Sequence, residues 1–317
     1  MNSSKSQLWL NRMAISTACV AMVTILFGAL TTTKDAGMAF PHWLYSDAYP
    51  MPLYPWLKDF GSNWNKFLEH GHRLAGMLIG LWSIALVVLN FRLEQRSVIR
   101  WMSVAVLLGV ICQGILGGLR VEQNSRVLAM FHGAFAAVVV SLMASMAVAT
   151  SKQWNEQGTT NVDHLKPWAV VIVLAIAIQY LLGGLIRHRG TGLHEHLGMA
   201  VLSYLGIWVN AFIVHRSKES WLKRSAWLLV ILTTTQVLLG LVAWLFKYGF
   251  APWGFVPVMN SMEQLLARTV HSMFGILVFA TSVVHALRVF RMAHLSQSVT
   301  ESRPVLFASP ELAGEVS

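Results

Sequence analysis

Charged residues are scarce in this sequence. Asp, Glu, Lys and Arg make up 12% of the 317 residues, whereas 55% are hydrophobic and the mean hydropathy is +0.55. Soluble domains carry about 25% charged residues. The composition therefore excludes an ordinary soluble domain and indicates an integral membrane protein.

Cysteine is scarce as well. The chain has two, Cys19 and Cys112, and both lie inside apolar stretches. In that setting a cysteine is typical of a small buried hydrophobic residue rather than of a ligand, so we expect no disulfide. The sequence also lacks a CxxC pair, a glycine-rich phosphate loop and a Ser/His/Asp arrangement. It therefore has no motif for thiol redox chemistry, nucleotide binding or triad hydrolysis.

Eight stretches of about 20 apolar residues are long enough to cross a bilayer. The first is too long for the apolar core of a signal peptide, so we expect it to be retained. The sequence predicts an all-α integral membrane protein with eight transmembrane helices, followed by a polar, disordered tail at 295–317. The spans lie at about 13–33, 71–91, 101–119, 128–150, 167–186, 196–214, 225–246 and 267–289.

The basic residues indicate an orientation rather than a nucleic-acid partner. The net charge is +10, but Lys and Arg sit at the ends of the spans instead of forming one patch. Of the 24 Lys and Arg residues, 14 fall in the N-terminal arm, the even-numbered loops and the tail. The positive-inside rule then predicts that both termini are cytoplasmic.

The spans repeat as helical hairpins. Three odd-numbered spans carry Gln, two residues, Leu and Gly, in "QGILG" (113–117), "QYLLG" (179–183) and "QVLLG" (236–240). A histidine then opens the following span. The first hairpin fits more loosely, with "FGALTTT" at 27–33 and no Gln. The four histidines at the outer mouths are His72, His132, His196 and His271.

Four histidines at matching positions predict haem ligation. Neutral imidazole is a good ligand for haem iron, and helix bundles place such ligands on facing helices. We therefore predict two pseudo-symmetric four-helix bundles, 1–150 and 151–294, with one haem site each. The predicted pairs are His72 with His132 and His196 with His271.

A small residue stands four positions after each histidine, one helical turn further in. Small residues there permit close helix packing, and they equally leave room for a flat ligand. A His-x-His chelate is disfavoured, because residues two apart on a helix face opposite sides. The four small residues are Gly76, Ala136, Ala200 and Gly275.

Two charged residues accompany the first histidine. Glu69 precedes His72 by three positions and shares its face, where it either accepts protons or offsets the helix dipole. Arg73 follows directly. Because haem propionates pair well with arginine, we take Arg73 as cofactor-binding, with interfacial anchoring as the alternative.

The eight spans, the Glu69-x-x-His72-Arg73 motif, the later mouth histidines and the Gln-x-x-Leu-Gly hairpins together resemble the haem A synthase family over about 13–290. The resemblance implies oxidation of the C8 methyl group of haem O to a formyl group, giving haem A for terminal oxidases. It implies that Glu69, His72 and His132 are the catalytic residues on the substrate side.

The resemblance also implies a haem b cofactor on His196 and His271, so that all four mouth histidines are iron ligands. It places the protein in the plasma membrane among lipid, with haem O synthase or terminal oxidase assembly factors as partners. Two points depart from the family or stay open. "FPHW" at 40–43 stands where many members carry a Cys pair. His194 competes with His196, which we prefer because a small residue follows it at the fourth position.

Two other functions stay open. A non-enzymatic di-haem b cytochrome would stack its haems across the membrane, and His285 lies 14 residues after His271, about 21 Å deeper and nearly on the same face. His215 also lies on the inner side. A transporter is the weaker alternative, since transporter sites lie near the bilayer midplane.

Overall fold

The computed structural model describes residues 3–155, 161–217 and 219–301. Over these residues it contains eight helices that are long and apolar enough to cross a membrane, which confirms the eight predicted spans. Each helix begins before its predicted apolar stretch, and all except the first and the fourth also end after it. The helices are α1 (Ser3–Thr33), α2 (Trp64–Leu93), α3 (Ser97–Glu122), α4 (Arg126–Ala149), α5 (Lys166–Arg189), α6 (Leu193–His215), α7 (Ser220–Tyr248) and α8 (Met262–Glu301).

Local chemistry sets several helix ends. The side chain of Asn63 accepts a hydrogen bond from the Lys66 amide at 3.1 Å, which caps the start of α2. Helix α5 ends at Gly190, whose φ of 72° is left-handed and favours glycine. Helix α8 continues to Glu301, into the segment that was predicted to be a disordered tail, and residues 302–317 lie outside the described residues.

The helices contact one another in two closed groups. Helix α1 packs on α2, α2 on α3, α3 on α4 and α4 back on α1, and α5 to α8 repeat this order. The groups meet where α8 packs against α1 and α4, and where α4 packs against α5. The core of the first group accordingly includes Ile276 and Ala280 of α8. The pseudo-symmetry that relates the two halves stays a prediction.

The long connection between α1 and α2 is folded. A two-stranded antiparallel hairpin joins β1 (Tyr45–Ser46) to β2 (Tyr49–Pro50), and short 3-10 turns follow at Met51–Leu53 and Trp56–Asp59. Phe40, at 0% exposure, anchors the connection. We call residues 34–63 the outer cap.

Candidate functional site

The four mouth histidines meet in two pairs. The ring centroids of His72 and His132 are 6.2 Å apart with planes at 89°, and those of His196 and His271 are 6.5 Å apart with planes at 81°. Two imidazoles on opposite sides of one metal, each with its nitrogen about 2 Å away, have centroids roughly 6 Å apart. Both pairs therefore have the spacing that a metal between two histidines requires.

Each imidazole of these pairs lies against a glycine of the preceding helix. A Cβ added at any of these glycines would stand 2.8–3.2 Å from the Cε1 atom of the ring, closer than ordinary van der Waals contact. Only glycine thus gives the ring its observed place. The four contacts are Gly28 with His72, Gly117 with His132, Gly183 with His196, and Gly240 with His271.

The first hairpin fitted the sequence repeat loosely, but in the structure it too has a polar residue four positions before the glycine that contacts the ring. Thr24 stands four residues before Gly28, where the other hairpins have Gln, and its backbone carbonyl lies 3.0 Å from Nδ1 of His72. Such a bond orients an imidazole and leaves Nε2 for a metal. In the sequence, Thr24 could have been found from its position four residues before Gly28, which matches the spacing from Gln to glycine in the other hairpins.

The other three histidines have a similar neighbour. In each case a Gln stands four residues before the glycine that the ring contacts. The side-chain amide of Gln113 donates to the backbone carbonyl of His132 at 2.7 Å, and that of Gln179 lies 3.3 Å from Nε2 of His196. The Nδ1 atoms of these three histidines are buried and have no hydrogen-bond partner among the described residues. These Gln–His neighbours are Gln113 with His132, Gln179 with His196, and Gln236 with His271.

The choice between His194 and His196 is geometric. His196 faces His271, whereas His194 is exposed. No group of three or more His, Cys, Asp or Glu residues that could hold a metal ion occurs in the described part of the chain. A haem needs only two protein ligands, so facing pairs suit haem iron better than a protein-bound metal ion.

The small residues after the histidines differ in surroundings. A Cβ at Gly76 would meet nothing within 4 Å, whereas one at Gly275 would lie 3.3 Å from the Gln236 side-chain nitrogen and 3.6 Å from the Tyr180 ring. Gly76, in the first half, therefore has open space beside it. Gly275, in the second half, lies in close packing.

Glu69 has partners that the sequence did not reveal. Its carboxylate is buried, and Oε2 accepts hydrogen bonds from the backbone amides of Ala39 and Phe40 at 2.7 Å and 3.2 Å. Its Oε1 accepts a bond from Arg73 at 2.6 Å. The carboxylate thus binds the outer cap, a role distinct from both proton transfer and a helix-end charge.

Arg73 also holds the outer cap. Besides Glu69, its guanidinium donates to the backbone carbonyls of His42, Trp43 and Tyr45 at 2.8 Å, 3.3 Å and 3.0 Å. The side chain is therefore no simple interfacial anchor. Its pairing with a haem propionate stays a prediction.

Helix α3 ties the cap from the other side. Arg120 donates to the carbonyl of Gly37 at 2.8 Å, and a Cβ at Gly37 would collide with the guanidinium. Glu122 accepts from the Trp43 amide at 3.1 Å. The cap therefore closes over the outer ends of α2 and α3, next to the first histidine pair.

His70, the neighbour of the ligand motif, belongs to the cap interface. Its ring is fully buried, Nδ1 lies 3.0 Å from the Ser46 hydroxyl, and the ring contacts Phe40 and Tyr54. Burial raises the pKa of the Tyr54 phenol, which donates to Asp59 at 2.8 Å. His70 therefore helps to fasten the cap and does not face His132.

The inner histidine His285 is fully engaged. Its Nε2 lies 3.1 Å from the side-chain amide of Asn210, and its Nδ1 lies 2.8 Å from the Ser225 hydroxyl. Both ring nitrogens thus have partners on α6 and α7. This leaves neither nitrogen for a second haem iron, which removes the main support for the stacked cytochrome.

Comparison with known proteins gives one family and a set of relatives. The COX15-CtaA family, described as cytochrome oxidase assembly protein, matches residues 11–196, more than half of the chain. The matched region contains His72, His132 and His196 and ends before His271.

Several curated relatives carry the name "Heme A synthase". Proteins of Bacillus cereus (strain 03BB102) and Bacillus anthracis (strain A0248) are 29% identical over 129 residues, and one of Bacillus cereus (strain G9842) is 26% identical over the same length. The matched region is 40% of this chain and 39% of each relative, so the chain spans about two fifths of their length. No solved structure matches the chain.

Proposed function

Because the chain belongs to the COX15-CtaA family of cytochrome oxidase assembly proteins, we propose that it oxidises the C8 methyl group of haem O to the formyl group of haem A. The observation that carries this proposal is the facing imidazole pair in each half, at centroid distances of 6.2 Å and 6.5 Å. One pair serves the haem substrate and the other a haem cofactor.

The substrate site lies in the N-terminal half. His72 and His132 bind the iron of haem O, and the carbonyl of Thr24 orients the first of these rings. The open space beside Gly76 leaves room for the porphyrin. Two ligands and this open space would hold the porphyrin in one place, so that the same methyl group stays available for successive oxidation steps.

The proposed reaction takes the methyl carbon to an aldehyde through two hydroxylations. The first gives an alcohol and the second a geminal diol, which loses water to leave the formyl group. Each hydroxylation replaces one C–H hydrogen by a hydroxyl group and removes two electrons from the carbon, so the whole reaction consumes two equivalents of a two-electron oxidant and two oxygen atoms from outside the chain. The chain's own part is to hold the substrate still through both steps and to shield it beneath the outer cap.

The cofactor site lies in the C-terminal half, with His196 and His271 as the ligands of haem b. The glycine contacts at Gly183 and Gly240, the ring spacing and the unpartnered buried Nδ1 atoms fit a bis-histidine haem. A haem bound there would supply one-electron transfer. Gly183 and Gly240 of the preceding helices set the position of the two rings.

Glu69 connects the outer cap to the substrate site. As a carboxylate it accepts two backbone amides of the cap and balances Arg73. It lies three residues from His72, where a proton acceptor would serve the hydroxylation steps. We propose that Glu69 is catalytic and that its hydrogen bonds to the cap fix its position.

The chain is a multi-pass membrane protein. We propose that it resides in the plasma membrane with both termini in the cytoplasm and the histidine pairs near the outer face, as its 14 Lys and Arg residues on one side favour. Haem O synthase and terminal oxidase assembly factors are the proposed partners. A reporter fused after Ser317 should report a cytoplasmic C-terminus, and a periplasmic result would reverse the orientation.

Pigment analysis tests the function. The chain is produced in a host that makes haem O but lacks its own haem A synthase, and extracted haems are separated. We expect haem A in the membranes and haem b in the purified protein. Two haem b per chain with haem O left unconverted would instead establish the di-haem cytochrome.

A further inference from the structure

Two arginines beside the C-terminal histidine pair lack an acidic partner. Arg187 stands four residues after Gly183, and Arg268 stands three residues before His271, so each lies one helical turn outward of the ligand level. Among the described residues, neither forms an ion pair with a carboxylate. Their positive charges are therefore unbalanced by the protein.

Arg187 is held inside the protein rather than at its surface. It donates to the carbonyl of Ala29 at 2.8 Å, to the hydroxyl of Thr33 at 3.1 Å and to the hydroxyl of Ser272, next to His271. All three acceptors are neutral. These contacts orient the guanidinium between α1, α5 and α8, yet they leave its charge uncompensated.

Arg268 has even fewer partners. Within the part of the chain that the structure describes, its guanidinium makes no hydrogen bond. One hydroxyl links the two arginines, because Ser272 accepts a hydrogen bond from Arg187 and donates one to the backbone carbonyl of Arg268 at 2.8 Å. Placing two partly buried like charges together costs free energy unless an anion joins them. The chain supplies no such anion, so the arrangement calls for an anionic ligand.

The N-terminal site is built differently. There Arg73 is neutralised by Glu69 at 2.6 Å, and Arg120 bonds to Gly37 with Glu69 and Asp35 in its electrostatic surroundings. The C-terminal site has two unbalanced cations and a ligand pair. A haem carries two propionate carboxylates, which match two guanidinium groups in number, charge and hydrogen-bonding geometry.

We propose that Arg187 and Arg268 form a carboxylate clamp for the two propionates of haem b, which makes the C-terminal half the permanent haem holder. This inference rests on the proposed haem b site between His196 and His271. The substrate half, whose arginine charge is partly offset by acidic residues of the chain, holds its haem less firmly and can release a product.

The dimethyl ester of haem b tests the clamp, because it keeps the iron and the porphyrin but removes both carboxylate charges. Protein made in a haem-deficient host is titrated with haem b or with its ester, and binding is followed in the Soret region. Hydrogen bonds to charged groups typically change affinity by about 10- to 100-fold. We expect the wild-type protein to prefer haem b over the ester by at least tenfold.

Substitutions then test which arginines cause the preference for haem b over its ester. Arg187→Gln and Arg268→Gln should each reduce the ratio of the two affinities, and Arg268→Lys should retain most of it. Arg189→Gln is the matched control, since it removes one positive charge from an exposed position two residues from Arg187. Because the guanidinium of Arg268 makes no hydrogen bond within the described chain, the Arg268→Gln variant should fold even if the Arg187 variant does not.

The outcomes separate the two proposals. An unchanged ratio in both Gln variants would overturn the clamp while leaving haem b in place, and equal binding of acid and ester by the wild-type protein would do the same. A wild-type protein that takes up neither haem would show that the C-terminal haem site itself is wrong.

Discussion

Two hairpins carry opposite charges three residues before their mouth histidine. The first hairpin of the N-terminal half has Glu69 there and the second hairpin of the C-terminal half has Arg268, whereas the matching positions of the other half are the uncharged Leu193 and Ala129. Glu69 is buried and accepts hydrogen bonds from cap amides, whereas the guanidinium of Arg268 makes no hydrogen bond within the described chain. The charge beside the N-terminal histidine pair is thus bound by the cap, and the charge beside the C-terminal pair has no such partner.

The connections differ in the same way. In the first half 30 residues, 34–63, form the outer cap between α1 and α2, while in the second half α5 passes to α6 through residues 190–192 alone. A short turn joins neighbouring antiparallel helices at little entropic cost. The long cap is therefore more than the hairpin needs, and its bonds to Glu69, Arg73 and Arg120 place it next to the N-terminal histidine pair.

The two halves also differ deeper in the helices, 14 residues after the mouth histidines. Fourteen residues after the ligand, the first half buries Leu86 and Met146, and the second half buries Asn210 and His285, all at 0–1% exposure. The apolar pair belongs to a hydrophobic core, and the polar pair is hydrogen-bonded across α6 and α8. The side chains 14 residues after the histidines are thus buried in both halves, in apolar contacts in the first half and in a hydrogen bond in the second.

The largest effect should come from the ligands. Replacing His196 or His271 with Ala removes one of the two proposed iron ligands, so the low-spin haem b spectrum should vanish. His194→Ala is the control, because His194 is exposed and does not face His271. Full retention of the spectrum in both ligand variants, or its loss in His194→Ala alone, would show that His196 and His271 are not the haem b ligands.

Glu69→Gln should have the next largest effect, on the yield of haem A. General acid–base groups contribute about 10²–10⁴-fold in rate, so haem A should fall at least 100-fold while haem b is kept. Because the change also weakens the bond to Arg73, Arg73→Gln is the control, and it should retain more haem A if the carboxylate itself acts. Equal losses in both variants would reduce Glu69 to a cap anchor. Extraction of haems at matched protein levels is the measurement.

The glycines beneath the rings should show a smaller, graded effect. A Cβ at Gly28 would lie 2.8 Å from His72 Cε1, whereas one at Gly183 would lie 3.2 Å from His196 Cε1. Overpacking typically costs about 1–3 kcal/mol. We therefore expect Gly28→Ala to lower haem A yield several-fold and Gly183→Ala to reduce haem b content less.

Gly80→Ala is the control for this series, since its Cβ would meet nothing within 4 Å. It should leave both haems unchanged. An order of effects opposite to the distances would show that the rings move freely once haem binds.

The inner polar pair should give the smallest effect on function. His285→Leu leaves Asn210 unpaired and deprives the Ser225 hydroxyl of one partner, which should lower stability by about 1–3 kcal/mol. The double change Asn210→Leu with His285→Met copies the apolar pair of the first half and should recover part of that loss. Thermal unfolding in detergent measures both, and the haem b spectrum should stay the same. Loss of a haem signal on His285→Leu would revive the di-haem cytochrome.

Much of this molecule is readable from the sequence. The number of spans follows from the lengths of apolar stretches, which depend only on local composition. The four mouth histidines follow from a repeat spacing along the chain, and the pairing of His72 with His132 follows from placing alternate helices of a bundle opposite each other. Each of these inferences uses only residues that are near in sequence or equivalent by repetition.

Only the tertiary structure decided how the charged residues are used. The hydrogen bond that Arg187 donates to Ala29 joins positions 158 residues apart, and the one that Glu69 accepts from the Ala39 amide joins positions 30 apart across a long connection. No local pattern encodes such contacts, because they depend on how separate helices and the cap pack together. The sequence determined where the imidazoles stand along the chain, and the packing determined which carboxylate binds the cap and which cations stay free for a ligand.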